Sequence, residues 1–272
     1  MIDAVAVSDV VVVTDSTACV RTRRGSAGLR VVPVSVLFTD REASDGVVRP
    51  STVYRRLARG EAVKSQAPPP ASYLEAIESG DHGAALVLTP AHEFTVMAHN
   101  ARLAAELATR RTHVVDTRTA AAGQGLVVRA ALAAARGGAD LDEIGAVAHD
   151  AAGRVELLAA ILDSSQLEHS GHVHRDSAAG RRRRTPAMVA RFRSGQVVPL
   201  AATGDPLRAL ATAWRRGDGR ADTTLVFHSA QRPRAERLHR LVAAGEPILT
   251  CSAAMGAHVG PGLVGVAWLT PR

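Results

Sequence analysis

Apolar residues in this chain gather in short unbroken runs that end on small polar side chains. Val11, Val12 and Val13 are β-branched and show no alternation, which predicts a strand covered on both faces. The run stops at Thr14, Asp15, Ser16 and Thr17. Hydroxyls and a carboxylate at a strand's carboxyl end stand where open α/β sheets bind ligands, although the same residue types also make ordinary turns and helix caps. The pattern recurs: residues 84–88 stop at Thr89-Pro90, and residues 112–115 stop at Asp116-Thr117. Helical spacing follows, with Met97, Ala101, Ala104 and Ala108 on one face of residues 94–108, then an alanine-rich helix over 120–136. Asp140 and Glu143 have capping-box spacing and open a helix to about Ala152. Strand, polar end and helix in repetition predict a parallel sheet with helices on both faces. Right-handed crossovers would gather the polar ends in one crevice.

Between these elements, residues 29–38 read as one strand and 40–49 as a polar loop. Ser51 caps a short helix running to Arg59 and ended by Gly60. Residues 64–70, with Pro68, Pro69 and Pro70 in succession, read as a stiff loop before a helix over 71–79. Gly153 marks a change of pattern and a boundary between an N-terminal α/β domain, 1–153, and a C-terminal α+β domain, 154–272. In the second part, residues 155–162 are apolar and 163–184 polar; 187–192 and 196–200 form a hairpin about Arg193-Ser194-Gly195. Asp205-Pro206 starts a helix. Strands over 223–227, 247–251 and 262–269, with a helix over 232–243, complete a mixed sheet.

Composition narrows the picture. A chain of 272 residues, 46% hydrophobic and 22% charged, is globular, and none of its apolar runs reaches the length of a membrane span. Asp3 and Asp9 interrupt the N-terminal apolar stretch, so no secretory signal is read. Two cysteines, Cys19 and Cys251, cannot build a disulfide framework, and a cytoplasmic location is expected. The net charge of +7 raises the question of nucleic acid. Lys64 is the only lysine, however, and 3% aromatic residues provide no stacking platform. The one dense basic run, arginines 181–184, reads as an exposed loop, so no nucleic-acid partner is expected.

Most motifs for chemistry fail on spacing. Gly123-Gln-Gly125 lacks the third glycine of a dinucleotide fingerprint and lies inside a helical pattern. His92-Glu93 has valine at position 96 where a zinc protease needs its second histidine. His169, His172 and His174, with Asp176, have spacing that suits zinc but no neighbouring support, so no metal is expected. Ala257-His258-Val259-Gly260-Pro261-Gly262 permits a tight turn, with His258 before it and a strand expected on either side.

Taken together, these segments resemble the DegV family of bacterial lipid-binding proteins, which includes the fatty-acid-binding subunit of fatty acid kinase. The likeness rests on Thr14-Asp15-Ser16-Thr17-Ala18, Val32-Pro33-Val34, Ser65-Gln66, Val115-Asp116-Thr117 with Gly123-x-Gly125, and the segment from Ala257 to Gly262. It implies two α/β domains with a fatty acid between them, the acyl tail in an apolar tunnel and the carboxylate on a polar patch. It also implies a protein without catalysis or cofactor, whose bound fatty acid a separate kinase subunit phosphorylates. The implied ligand-binding residues are Ser16, Lys64, Ser65, Gln66, Thr89, Glu93, Thr95 and His258.

Three places depart from the family pattern. Lys64 stands where a threonine is usual, Glu93 where a contact serine falls, and Gly171-His172-Val173 replaces Gly-Arg-Ile. A carboxylate roughly 4 Å from the ligand's own costs about 1 to 4 kcal/mol. Lys64 and Glu93 are therefore read together as an altered head-group reader. The rival readings are a degenerate paralogue that acts as an interaction or regulatory protein without lipid, and a zinc hydrolase built on His169, His172 and His174.

Overall fold

The computed structural model describes residues 9–20, 28–162 and 187–272. In chain order, its first half holds β1 (Val10–Asp15), β2 (Leu29–Val32), β3 (Ser35–Leu37), β4 (Glu42–Ser44), α1 (Pro50–Ala58), β5 (Lys64–Gln66), α2 (Pro70–Glu78), β6 (Ala84–Thr89), α3 (Met97–Leu107), β7 (Arg111–Asp116), α4 (Ala121–Arg136) and α5 (Leu141–Arg154). The second holds β8 (Val155–Ile161), β9 (Ala187–Arg193), β10 (Gln196–Thr203), α6 (Pro206–Arg216), β11 (Thr224–Ser229), α7 (Arg232–Val242), β12 (Leu249–Thr250), α8 (Ala253–Val259) and β13 (Leu263–Leu269).

Every residue of β1 and β6 is buried, as their unalternating sequences require. The order β2-β1-β6-β7 is parallel throughout. Residues of α2 and α3 cover one face of this sheet, and α4 and α5 the other. A second sheet, β10-β9-β8-β13-β11-β12, is antiparallel apart from the β11–β12 pair. One of its faces packs on α4 and the other on α6 and α7. Helix α4 thus lies between two sheets, which explains a sequence of small residues buried on nearly every side. The architecture is the mixed α/β arrangement that the alternation of elements predicts.

The expected local signals are present. Asp140 accepts from the Glu143 N–H at 2.9 Å and the Glu143 carboxylate accepts from the Asp140 N–H at 3.0 Å, a complete capping box. Ser194 and Gly195 both take positive φ, 49° and 70°, which a two-residue hairpin turn requires. Asp205 caps α6 through the Arg208 N–H.

Four local expectations are corrected. Residues 29–38 are two strands in different sheets, because Pro33 has no N–H to donate and the Val34 N–H goes to Ser16 Oγ instead. The segments read as loops over 40–49 and 64–70 supply β4 and β5, which flank β3 in a small antiparallel sheet. The prolines remove donors only from positions 68–70, so Lys64 to Gln66 remain free to pair. Ser51 caps nothing: α1 begins at Pro50 after an extended Arg49. The helix expected from Phe94 starts at Met97, after a turn in which the Phe94 N–H bonds the Ala91 carbonyl.

Candidate functional site

The three polar strand ends meet, and their side chains mostly satisfy one another. Thr14 Oγ1 donates to the Leu88 carbonyl at 3.0 Å. Gln124 Nε2, from α4, donates to Asp15 Oδ2 at 2.7 Å and to Thr14 Oγ1 at 3.1 Å. The Thr17 N–H donates to Asp15 Oδ1 at 2.9 Å, and the Thr17 hydroxyl donates to the same oxygen. Asp15 is completely buried; burial pushes its carboxyl above the usual range, opposed by the bonds from Thr17 and Gln124. Thr117 Oγ1 donates to the Thr89 carbonyl at 2.8 Å. Thr89 is itself buried, and its own hydroxyl makes no hydrogen bond among the described residues. Ser16 donates to Asp45 Oδ2 at 2.8 Å and accepts from Val34, so its hydroxyl ties the crevice to the small sheet.

Open space lies beside this crevice, between the two large sheets' halves of the molecule. A cavity of about 80 Å³ is lined by Thr17, Phe94 and Thr95 from the first half and by Phe192, Met255 and His258 from the second. His258 reaches it from the last turn of α8, which Ser252 caps through the Met255 N–H at 3.3 Å. The strand expected before His258 is this short helix, whose sequence, Ala-Ala-Met-Gly-Ala-His-Val, carries no helical apolar stripe. His258 Nε2 lies 2.5 Å from Ser65 Oγ, joining two of the residues implied by the family likeness.

The other implied residues divide. Thr95 lines the cavity. Lys64 and Gln66 flank Ser65 on β5 and are exposed; alternation turns them to the opposite face of the strand. Glu93 lies 3.4 Å from His92 Nδ1 and against the hairpin turn, where a Cβ on Gly195 would come within 2.2 Å of its carboxylate. Among the described residues, its ion pair is with His92 and not with Lys64. His92 Nδ1 also lies 2.6 Å from Asp116 Oδ2, so His92, Glu93 and Asp116 bring ligand-type atoms within 4.8 Å of one another on the surface. His169, His172, His174, Asp176 and arginines 181–184 lie outside the described residues.

The apolar part of the lining, Phe192, Val197, Met255 and Val259, went unread in the sequence. These are ordinary apolar residues of strands and helix, and only the meeting of the two halves distinguishes them from core. Among the described residues, no helix is long and apolar enough to cross a membrane.

A family model for an uncharacterised protein, DegV family, matches residues 9–271. A DegV domain-containing protein of Streptomyces coelicolor is 27% identical over 273 residues, covering 94% of this chain and 97% of that protein. The fold is similar to that of a fatty-acid-binding DegV family protein from Thermus thermophilus, with a TM-score of 0.85, 23% identity, and 96% of this chain and 99% of that chain covered. It is also similar to the Streptococcus pneumoniae fatty acid kinase B3 protein, solved loaded with linoleic acid, with a TM-score of 0.87, 16% identity, and 96% and 99% covered. With the family model spanning nearly all of it, this chain belongs to the DegV family.

Proposed function

We propose that this protein is a non-enzymatic carrier that holds a long-chain fatty acid along the seam between its two halves. The observation that carries this reading is a mostly apolar cavity lined by His258, whose Nε2 meets Ser65 Oγ. Each methylene buried there contributes about 0.8 kcal/mol, and the carboxylate needs donors to offset its lost hydration. His258, Ser65 and Thr95 supply the polar end; Ser16, Lys64, Gln66, Thr89 and Glu93 act around it rather than on the ligand. The chain divides into two units at Gly153, with α8 returning to the first. The protein works in the cytoplasm and presents the carboxylate to a separate kinase subunit.

A cavity of about 80 Å³ is smaller than the roughly 150 Å³ engineered cavity that admits benzene. Binding a long chain therefore requires the seam to widen, for which Met97 and Met255 are well suited because unbranched thioethers repack readily. The small cavity favours a second reading, a paralogue that has lost its lipid and acts through partners. Native mass spectrometry and lipid extraction of purified protein separate the two. A co-purified or added linoleate retained at one per chain supports the carrier; protein that is empty and does not take up linoleate supports the second reading.

A further inference from the structure

We infer that Cys19 and Cys251 form a modification site, a thiol pair that an anionic low-molecular-weight disulfide converts into a covalent bridge across the seam. They are the chain's only cysteines. They come from opposite halves, yet both are buried in one apolar cluster, with 8% and 1% of their surface exposed, and Cys19 shares the lining of one cleft with Thr250 and Ser252, the residues on either side of Cys251. The backbone on each side is held. The Cys19 N–H donates to the Ala121 carbonyl at 3.2 Å, and Gly125 lets that helix approach closely, since a Cβ there would lie 2.8 Å from the Cys19 carbonyl oxygen. The Cys251 N–H donates to the His228 carbonyl at 2.9 Å. Two thiols buried side by side in one cluster can close to the S–S length of about 2.05 Å if their Cα atoms lie within about 7 Å.

A second observation supplies a route in. A surface cleft of about 610 Å³ is lined by Cys19 together with Thr250, Ser252, Arg232 and His239. Arg232, paired with Glu236 at 2.8 Å, keeps a cation at its edge that suits an anionic reagent, and Cys19, the less buried of the two cysteines, is among its lining residues. In the first step the Cys19 sulfur bonds to one sulfur of the reagent, whose S–S bond breaks and releases a small thiol that takes up the Cys19 proton. In the second, Cys251 displaces the remaining half, so the Cys19–Cys251 bond forms and a second small thiol leaves with the Cys251 proton. The protein loses two protons and two electrons, and the reagent gains them. The Cys251 thiol is held well above its usual pKa by the bond to Cys19 and by burial, so the reaction is slow while the seam is closed.

The bridge would tie the loop after β1, which carries the cavity residue Thr17, to the start of α8, which carries Met255 and His258. This holds whatever occupies the cavity. The test is prolonged incubation of the purified full chain with oxidised glutathione. The expected product is the wild-type chain lighter by two hydrogens, with a linked Cys19–Cys251 peptide that dithiothreitol releases. Amide exchange of Thr17–Cys19 and Cys251–Ala254 should then slow about tenfold. Cys251→Ser should stop at a glutathione adduct on Cys19. Failure of wild type to link under conditions in which the denatured chain does link overturns the inference, as does a linked protein whose exchange at both segments is unchanged. Because these readouts use no lipid, they are independent of the carrier reading.

Discussion

The polar crevice at the strand ends and the cavity beside it are neighbours with opposite constructions. In the crevice, Thr17 and Gln124 both donate to Asp15, and all three are buried. In the cavity, apolar side chains leave space, and polarity comes from Thr17, Thr95 and His258, the last of which meets Ser65. The residues that look most like a binding site in the sequence are therefore a structural knot that shapes the site. Thr17 belongs to both: its backbone and hydroxyl bond Asp15 while the residue lines the cavity.

This contrast can be broken most sharply by Asp15→Ala. The change leaves the Thr17 N–H and hydroxyl without their buried acceptor and takes from Gln124 Nε2 the shortest of its bonds, and we expect a loss of about 3 kcal/mol or more in urea unfolding. A loss below about 1 kcal/mol would show that the crevice is no knot. His258→Ala and Ser65→Ala should behave oppositely: linoleate affinity falls about tenfold in titration, while unfolding shifts by less than about 1 kcal/mol.

The pH dependence sharpens the same point. Asp15 binds its proton more tightly in the folded chain than in the unfolded one, where its pKa is near 3.8. Its contribution to stability is thus greatest below that value and declines as pH rises through the raised native pKa. Unfolding of wild type and Asp15→Asn from about pH 3 to about pH 8 isolates this contribution, because the other carboxylates are common to both: the stability of wild type relative to the variant should fall as pH rises. The smallest effect is expected for Lys64→Ala: below about 0.5 kcal/mol in stability and less than about twofold in linoleate affinity, because the side chain points away from the Ser65 face. A larger change in affinity would restore Lys64 as a head-group reader.

Much of the fold was legible because burial on two faces writes itself into the sequence. The valines of β1 and the alanines of α4 leave few other solutions. The small sheet was not legible: β3, β4 and β5 are three residues each, too short for alternation to register, and the prolines after β5 masked it. Helix α8 escaped for a similar reason, since seven residues with an internal glycine show no period. Ser65 and His258 could be named from their family likeness, but their 2.5 Å contact depends on two elements that the sequence did not reveal. Glu93 and Lys64 have charges that invite pairing on paper; the strand alternation at Lys64 and the turn at Gly195 direct them elsewhere.

One carboxylate has a mechanical consequence. Asp45, just after β4, accepts from Ser16 through one oxygen and from the Ala253 N–H, at 3.0 Å, through the other. The far end of α8 is fastened to β5 by His258, and Ala253, Ala254 and Ala257 are buried with Val34, Val36 and Val53 of the first half. Both ends of α8 are therefore riveted to the small sheet, although the chain delivers this helix from the second half. A widening of the seam therefore either carries α8 along with the small sheet or breaks the Asp45 and His258 contacts that hold its two ends.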